Sequence, residues 1–326
     1  MLALGLDTSC YTTSAALCVP GQEPRQERRL LPVAAGERGL RQSEAVFAHV
    51  RQISDVLLPL LKTASEPISC VCASASPRDG EDSYMPVFQV GVSHGKAIAA
   101  ALNVPFYTTT HQRGHIAAAK YGTGLEAERF IALHLSGGTT DVLLMDGDKI
   151  QHIGTSVDLH AGQLVDRVGV ALGLPFPCGP YLEELALKGE SKNRVPVSME
   201  GLNCHLSGAE AQLMRMIATG EPKENVAAEV YSVLCRTVHR LLTAAAESVN
   251  VKDLLVAGGV ASSQLLRRML LERNEKRRTG LSFFFGCPEF SGDNAVGVAL
   301  IGSQKEIEIH NNPSVGFADS SPDRGA

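Results

Sequence analysis

"FIALHLSGGTTDVLLMDGDKI", residues 130–150, decides the fold. An apolar run ends in Ser136-Gly137-Gly138-Thr139 and a second apolar run follows at once, which predicts two strands joined by a tight polar turn. Residues 2–19, "LALGLDTSCYTTSAALCV", have the same form: apolar strand, turn rich in Ser, Thr and Asp, apolar strand. Two such hairpins about 130 residues apart imply a duplicated architecture.

The segments around them alternate between strand and helix. Residues 41–64 carry apolar residues at helical spacing, with Pro59 predicting a kink or a boundary. "ISCVCASASP" reads as a buried strand and residues 88–104 as a helix whose small residues permit close packing. Residues 104–110 form a strand, and His111 follows directly. Further on come a helix at 157–174, the longest helix at 224–249, a strand, Gly-Gly turn and helix at 253–278, and a last helix from about 292 to 304. The expected fold is therefore α/β and two-lobed. The first lobe spans 1–108, with the last helix packing back on it; the second spans 109–291; residues 305–326 form a loosely ordered tail.

Composition narrows the function classes. The 326 residues are 44 % hydrophobic and 20 % charged, with a net charge of −5, unlike a dedicated nucleic-acid binder. No leader or long apolar span is read, which predicts a cytoplasmic protein without a membrane contact. The eight cysteines are scattered, none in a C-x-x-C pair, and read as reduced and mostly buried thiols; Cys70 and Cys72 alternate along one strand and share a face. The basic stretch "RRMLLERNEKRR", with Arg267, Arg268, Arg273, Lys276, Arg277 and Arg278, is read as a solvated helix face rather than a track for RNA phosphates.

Three glycine turns are read as following strands: Ser136–Asp141, Pro175–Pro180 and Ala257–Ser263. Backbone without a Cβ can approach a phosphate closely and offer its N–H groups. Asp7 and Asp141 each lie near such a turn, and Asp166 lies on a helix. Neither G-x-x-x-x-G-K-[ST] nor G-x-G-x-x-G is present. "THQRGH" places His111 and His115 four residues apart, on one face of a helical turn. Imidazoles at that spacing are either ligands for iron or zinc or two rings that merely share a face; Asp293 in "SGDNA" offers a third ligand.

The paired hairpins with a late Gly-Gly turn resemble the actin, sugar-kinase and heat-shock ATPase superfamily: a two-lobed actin-like, sugar-kinase-like fold with duplicated strand-hairpin-helix lobes. "THQRGH" further resembles the H-x-x-G-H element of the TsaD family, the tRNA threonylcarbamoyladenosine synthases. "LSGGTTDVLL" is similar to that family's S-G-G-x-T turn. Residues 160–186 follow its G-E-A-F-D-K…G-G-P element, "HLSGAE" its S-G-L-K, "LLVAGGVASS" its A-G-G-V turn and "SGDNA" its T-D-N-A.

The resemblance implies a metal, iron or zinc, on His111, His115 and Asp293. It implies a nucleotide, threonylcarbamoyl-AMP or ATP/AMP, on Leu135, Ser136, Gly137, Gly138, Asp166, Gly179, Gly258, Gly259 and Ser263. It also implies transfer of threonylcarbamoyl to N6 of an adenosine in the tRNA anticodon loop, with tRNA and complex subunits as partners. The pattern departs at Tyr11 and Thr12, in place of an acidic pair, and at Thr139, in place of a histidine. It departs also at Gln163, Glu210 and Ser263, and a G-P-G loop is missing before residue 88. Rival readings are a diverged paralogue that binds or hydrolyses nucleotide, a small-molecule kinase and a non-catalytic scaffold. A metalloprotease lacks its base, since Gln112 occupies the glutamate position of H-E-x-x-H.

Overall fold

The computed structural model describes residues 1–9, 11–32, 40–80, 83–192 and 194–311, with side chains described to residue 308. Cys10 and the tail beyond 311 lie outside the described residues. The chain divides into two units, Met1–Ala118 with Asp293 onward, and Ala119–Gly292. The boundary thus falls ten residues later than the sequence suggests. It lies inside a helix rather than before it, so both histidines belong to the first unit.

The first unit opens with β1 (Leu2–Thr8) and β2 (Thr12–Cys18), every residue of which is buried. An edge strand, β3 (Arg25–Leu30), follows. Next come α1 (Gln42–Leu61), β4 (Ile68–Ser76), α2 (Phe88–Leu102), β5 (Phe106–Thr110) and α3 (His111–Lys120). The sheet order is β3-β2-β1-β4-β5: an antiparallel three-strand meander extended by two parallel strands. Pro59 lies in the last turn of α1, two residues before its end, and cannot supply an amide to the Asp55 carbonyl one turn back.

The second unit repeats this plan. It comprises β6 (Arg129–Leu135), β7 (Thr140–Asp146), β8 (Lys149–Thr155), α4 (Ala161–Ala171), α5 (Gly179–Ala186), the short pair β9 (Ser198–Glu200) and β10 (Asn203–His205), and α6 (Ser207–Ala218). These are followed by α7 (Lys223–Val249), β11 (Asp253–Ala257), α8 (Gln264–Arg277) and β12 (Ser282–Phe285). Its large sheet runs β12-β11-β6-β7-β8, the same meander and the same two parallel additions in mirror listing. The duplication predicted from two hairpins is therefore a duplication of five-stranded topology. Ala-rich α7 is buried around most of its circumference, against α5, α8, α6 and α4.

The last helix, α9 (Val296–Asn311), returns to the first sheet and packs on β1, β4 and β2. It extends seven residues beyond the predicted end at 304, so the start of the expected loose tail is helical. Cys70 and Cys72 both face this helix: a Cβ built on Gly302 would lie 3.8 and 3.7 Å from their sulfurs. Six described cysteines are buried and free, whereas Cys287 is exposed. Burial pushes the thiols of Cys18, Cys70 and Cys72 up to about 12. Among the described residues, no helix is long and apolar enough to cross a membrane.

Candidate metal centre and glycine turns

The strand-to-helix junction at Thr110/His111 makes His111 the first residue of α3, and 3.6-residue periodicity sets His115 above it. Asp293 lies just before α9, whose start is capped by Asn294, Oδ1 accepting from Val296 N at 3.0 Å. Contact between α3 and α9 brings the aspartate to the histidines. A Cβ on Gly297 would lie 1.8 Å from the Gly114 carbonyl oxygen, so only glycine permits this approach.

Three ligand atoms converge. His111 Nε2 and His115 Nε2 are 3.0 Å apart, and Asp293 Oδ1 lies 3.6 and 3.4 Å from them. Among the described residues this is the group of three metal-ligating side chains that closes to such distances. The edges suit an ion held at roughly 2.0–2.2 Å by each atom. The remaining atoms of the three side chains are fixed from behind. His111 Nδ1 lies 3.0 Å from Asp7 Oδ1, which turns Nε2 outward, and Asp7 is fully buried. Asp293 Oδ2 accepts from Ser9 Oγ and Thr12 Oγ1, each at 3.2 Å. His49, buried in α1, holds Ser9 in turn, its Nε2 lying 2.7 Å from the Ser9 carbonyl oxygen.

The electrostatics agree with this order. Burial disfavours the charged His111 ring, but the charge and hydrogen bond of Asp7, with the Asp293 charge, push it up to about 9. Burial likewise opposes ionisation of Asp293, yet the His115 hydrogen bond and both imidazoles hold its carboxyl well below the usual range. Two imidazoles and a carboxylate brought within 3.6 Å of one another form a donor set well matched to a divalent cation.

The sequence reading placed Asp7 near a turn but gave it no role. Its signal was a carboxylate inside an otherwise apolar strand, where burial requires a partner. The Nε2 atoms of the two rings and one carboxylate oxygen of Asp293 lie within 3.6 Å of one another, so these three side chains could hold an ion.

The glycine turns belong to the second unit. β6 and β11 are parallel neighbours, so their C-terminal ends lie side by side. Gly258 has φ +103°, and a Cβ there would lie 2.3 Å from the Leu135 carbonyl oxygen. Gly162 N, at the start of α4, donates to the Ser136 carbonyl at 3.1 Å. Asp166 Oδ1 accepts from Cys178 N at 2.9 Å, so it caps the start of α5 beside Gly179. Tyr231 Oη donates to the Gly179 carbonyl at 3.2 Å and also bonds the Ser263 side chain. These contacts place Leu135 beside Gly258, with Gly259 in the same turn, and Ser136 and Gly137 beside the start of α4, with Gly138 in the same turn; Asp166, Gly179 and Ser263 are linked through Cys178 and Tyr231.

Four details refine the sequence reading. The Pro175–Pro180 turn follows helix α4 and opens α5; no strand precedes it. Ser263 is the N-cap of α8, accepting from Leu266 N at 3.1 Å. In the Ser136 turn, Gly138 N and Thr139 N donate inward to Ser136 Oγ at 3.3 and 3.1 Å rather than outward. In the basic stretch, Arg267 is not a solvated residue: it donates to the Ala261 and Gly286 carbonyls at 2.6 Å and lies over Phe285.

Residues 42–300 match the family described as TsaD, tRNA N6-adenosine threonylcarbamoyltransferase. The chain belongs to the TsaD family. The tRNA N6-adenosine threonylcarbamoyltransferase of Caldicellulosiruptor saccharolyticus is 30 % identical over 94 % of this chain and 94 % of that protein. The one from Methanopyrus kandleri is 29 % identical over 81 % and 76 %. Among solved structures, full-length HypF in its phosphate- and nucleotide-bound form aligns with TM-score 0.59 at 12 % identity, over 95 % of this chain and 47 % of HypF; the chain thus spans about half of HypF. A ROK glucokinase from Streptomyces griseus, solved with glucose and AMPPNP, aligns with TM-score 0.52 at 13 % identity over 93 % and 100 %. At such identities the likeness concerns the fold, the two-lobed actin-like and sugar-kinase-like one.

Several residues that the sequence reading singled out have local partners. Gln163 Oε1 accepts from His160 N at 3.0 Å and closes the first turn of α4. Glu210 pairs with Arg167 at 3.3 Å. Thr12 holds Asp293, and Thr139 lies 2.5 Å from Ser136 Oγ.

Proposed function

We propose that this TsaD-family chain transfers a threonylcarbamoyl group from threonylcarbamoyl-AMP to N6 of an adenosine in the tRNA anticodon loop. A divalent ion, iron or zinc, would be held by His111 Nε2, His115 Nε2 and Asp293 Oδ1. The observation that carries the reading is the closure of those three atoms, with Asp7 fixing the first ring, in a chain whose relatives are named for this transfer. The ion, when bound, supplies Lewis acidity.

The protein's own residues do the rest. Asp7, Ser9, Thr12 and His49 hold the ligand set in one geometry before substrate arrives. The Ser136–Gly138 turn and Gly258–Gly259 would receive the donor's phosphate, and Asp166 with Gly179 would border its ribose. In the transfer, the adenosine N6 lone pair forms a bond to the carbamoyl carbon. The C–O bond to phosphate breaks, AMP leaves with that electron pair, and N6 loses one proton. tRNA, the subunits of a threonylcarbamoylation complex and a cytoplasmic setting are part of the proposal.

A second reading, a diverged paralogue that binds or hydrolyses nucleotide without modifying tRNA, is favoured by one observation. Two amides expected to face a phosphate are satisfied inside the turn. Incubation with threonylcarbamoyl-AMP and unmodified tRNA, followed by mass spectrometry of the nucleosides, separates the two. Threonylcarbamoyladenosine supports the transferase, whereas AMP released without it supports the paralogue. Metal analysis of purified wild type against His111→Ala tests the ion: near-stoichiometric iron or zinc is expected in the first and little in the second.

A further inference from the structure

The tip of the hairpin formed by β1 and β2 carries a side chain that the ligand set does not use. Every described residue from Leu2 to Cys18 is buried except Tyr11, which is 51 % exposed. Among the described residues its side chain has no hydrogen-bond, ion-pair or ring partner. Its backbone, by contrast, is held on both sides. The Tyr11 carbonyl oxygen accepts from Leu31 N at 2.8 Å. Ser9 and Thr12 flank the tip, and their hydroxyls donate to Asp293 Oδ2. Behind them His49 Nε2 lies 2.7 Å from the Ser9 carbonyl oxygen.

This position sets Tyr11 beside the candidate metal centre. Thr12 Oγ1 is 3.2 Å from Asp293 Oδ2, and Tyr11 stands one Cα–Cα step of ~3.8 Å before Thr12, so its Cα lies within about 10 Å of that oxygen. The centre is not sealed: the side chains of His111, His115 and Asp293 keep 20, 16 and 28 % of their surface exposed. Single exposed aromatic residues are common on protein surfaces and need no ligand. Here the exposure is confined to one residue of a buried hairpin, and residues on either side of it hold a candidate metal ligand. The segment that presents the ring is therefore ordered together with the site.

The ring itself indicates the kind of ligand. A phenol offers two π faces and a polar edge, and has only two side-chain torsions to order. An unpaired base in an RNA loop has both faces open, and stacking on an aromatic side chain is a common way of holding such a base. In the reading given above, Asp166 and Gly179 in the second unit border the ribose of the donor. The acceptor base is the reactant still without a binding group.

We propose that Tyr11 is the stacking platform for the acceptor adenine, which leaves its neighbours in the RNA loop and lies on the phenol ring beside the metal centre. This rests on the transfer reading given above. Tyr11 takes no part in bond making; it binds the base, and the anchored hairpin fixes where the base is offered.

Binding of RNA stem-loops to the full-length protein tests it, since binding can be read without turnover. One stem-loop carries the acceptor adenosine and the other an abasic site in its place; both are measured by fluorescence anisotropy on wild type, Tyr11→Phe and Tyr11→Ser. Tyr11→Ser is expected to bind the adenosine loop roughly tenfold more weakly, the loss of one base stack. Its affinities for the abasic loop, threonylcarbamoyl-AMP and zinc, and its thermal unfolding, should match wild type. Tyr11→Phe keeps the ring and should bind both loops as wild type does. The chain has no tryptophan, so Tyr11→Trp places a single reporter at the tip, and its emission should be quenched by the adenosine loop and not by the abasic one. If wild type prefers the adenosine loop and Tyr11→Ser keeps that preference, stacking at Tyr11 is overturned while the transfer reading stands. The same holds if Tyr11→Ser weakens both loops alike, or weakens the donor as much as the RNA. If wild type binds the donor but neither distinguishes the two loops nor forms threonylcarbamoyladenosine, the transfer reading fails and the proposal with it.

Discussion

Gly297→Ala is the sharpest test of how this fold makes its candidate centre. The new Cβ would stand 1.8 Å from the Gly114 carbonyl oxygen and 2.7 Å from Ala118 N, where ordinary contact begins at 3.4 Å. Both neighbours are backbone of α3, so no side chain can swing aside. The two helices must separate, on the order of 1–1.5 Å if each relaxes in part, at a cost of about 1–3 kcal/mol typical of overpacking. Asp293 lies four residues before the substitution and moves with α9, while His111 and His115 stay with α3. Its Oδ1 already lies 3.4 and 3.6 Å from their Nε2 atoms, and a further ångström opens the triangle beyond a common ion. Zinc affinity, measured by competition with a chromophoric chelator, should fall about 100-fold, in the upper range seen when ligand geometry is disturbed. Urea unfolding reports the stability change separately. A Gly297→Ala protein with wild-type zinc affinity and wild-type stability would refute the claim that backbone contact between α3 and α9 positions the third ligand.

Two further outcomes are expected. Asp7→Asn removes the charge that holds His111 Nδ1 and should lower zinc affinity about 10–100-fold with little loss of fold, measured in the same competition. His239 is buried in α7 against Phe283; burial, then the charges of Arg273 and Arg277, lower its ring from 6.5 to about 4. The folded state therefore binds fewer protons than the unfolded chain between pH 4 and 6.5. The stabilising contribution is complete above 6.5 and is lost as pH falls through that window, about 1–2 kcal/mol between pH 7 and 5. In His239→Leu the urea midpoint should drop less over that interval than in wild type, and an equal drop would rule out His239 as the source.

Much of this molecule can be read from its chain. Strand, polar turn and strand appear twice because buried strands need uninterrupted apolar runs and tight turns need Ser, Thr, Asp or Gly, both local requirements. The i, i+4 histidines are legible for the same reason: helical periodicity places His115 over His111 whatever surrounds them. The order of the TsaD elements, from "THQRGH" to "SGDNA", is likewise linear information.

What tertiary structure alone decided is which distant atoms meet. Asp7 is 104 residues from the histidine it orients, and only the pairing of β1 with β4, and of β4 with β5, carries the two to one place. The approach of α9 to α3 depends on a glycine facing a carbonyl, a contact between residues 183 positions apart that no local pattern encodes. Two amides of the Ser136 turn point at its own hydroxyl, so a glycine turn that looked open to a phosphate has two of its donors committed inside. Periodicity and turn chemistry act over a few residues and are written in order along the chain. Ligand geometry is set by packing between segments far apart in sequence, which only the folded chain brings within hydrogen-bond distance.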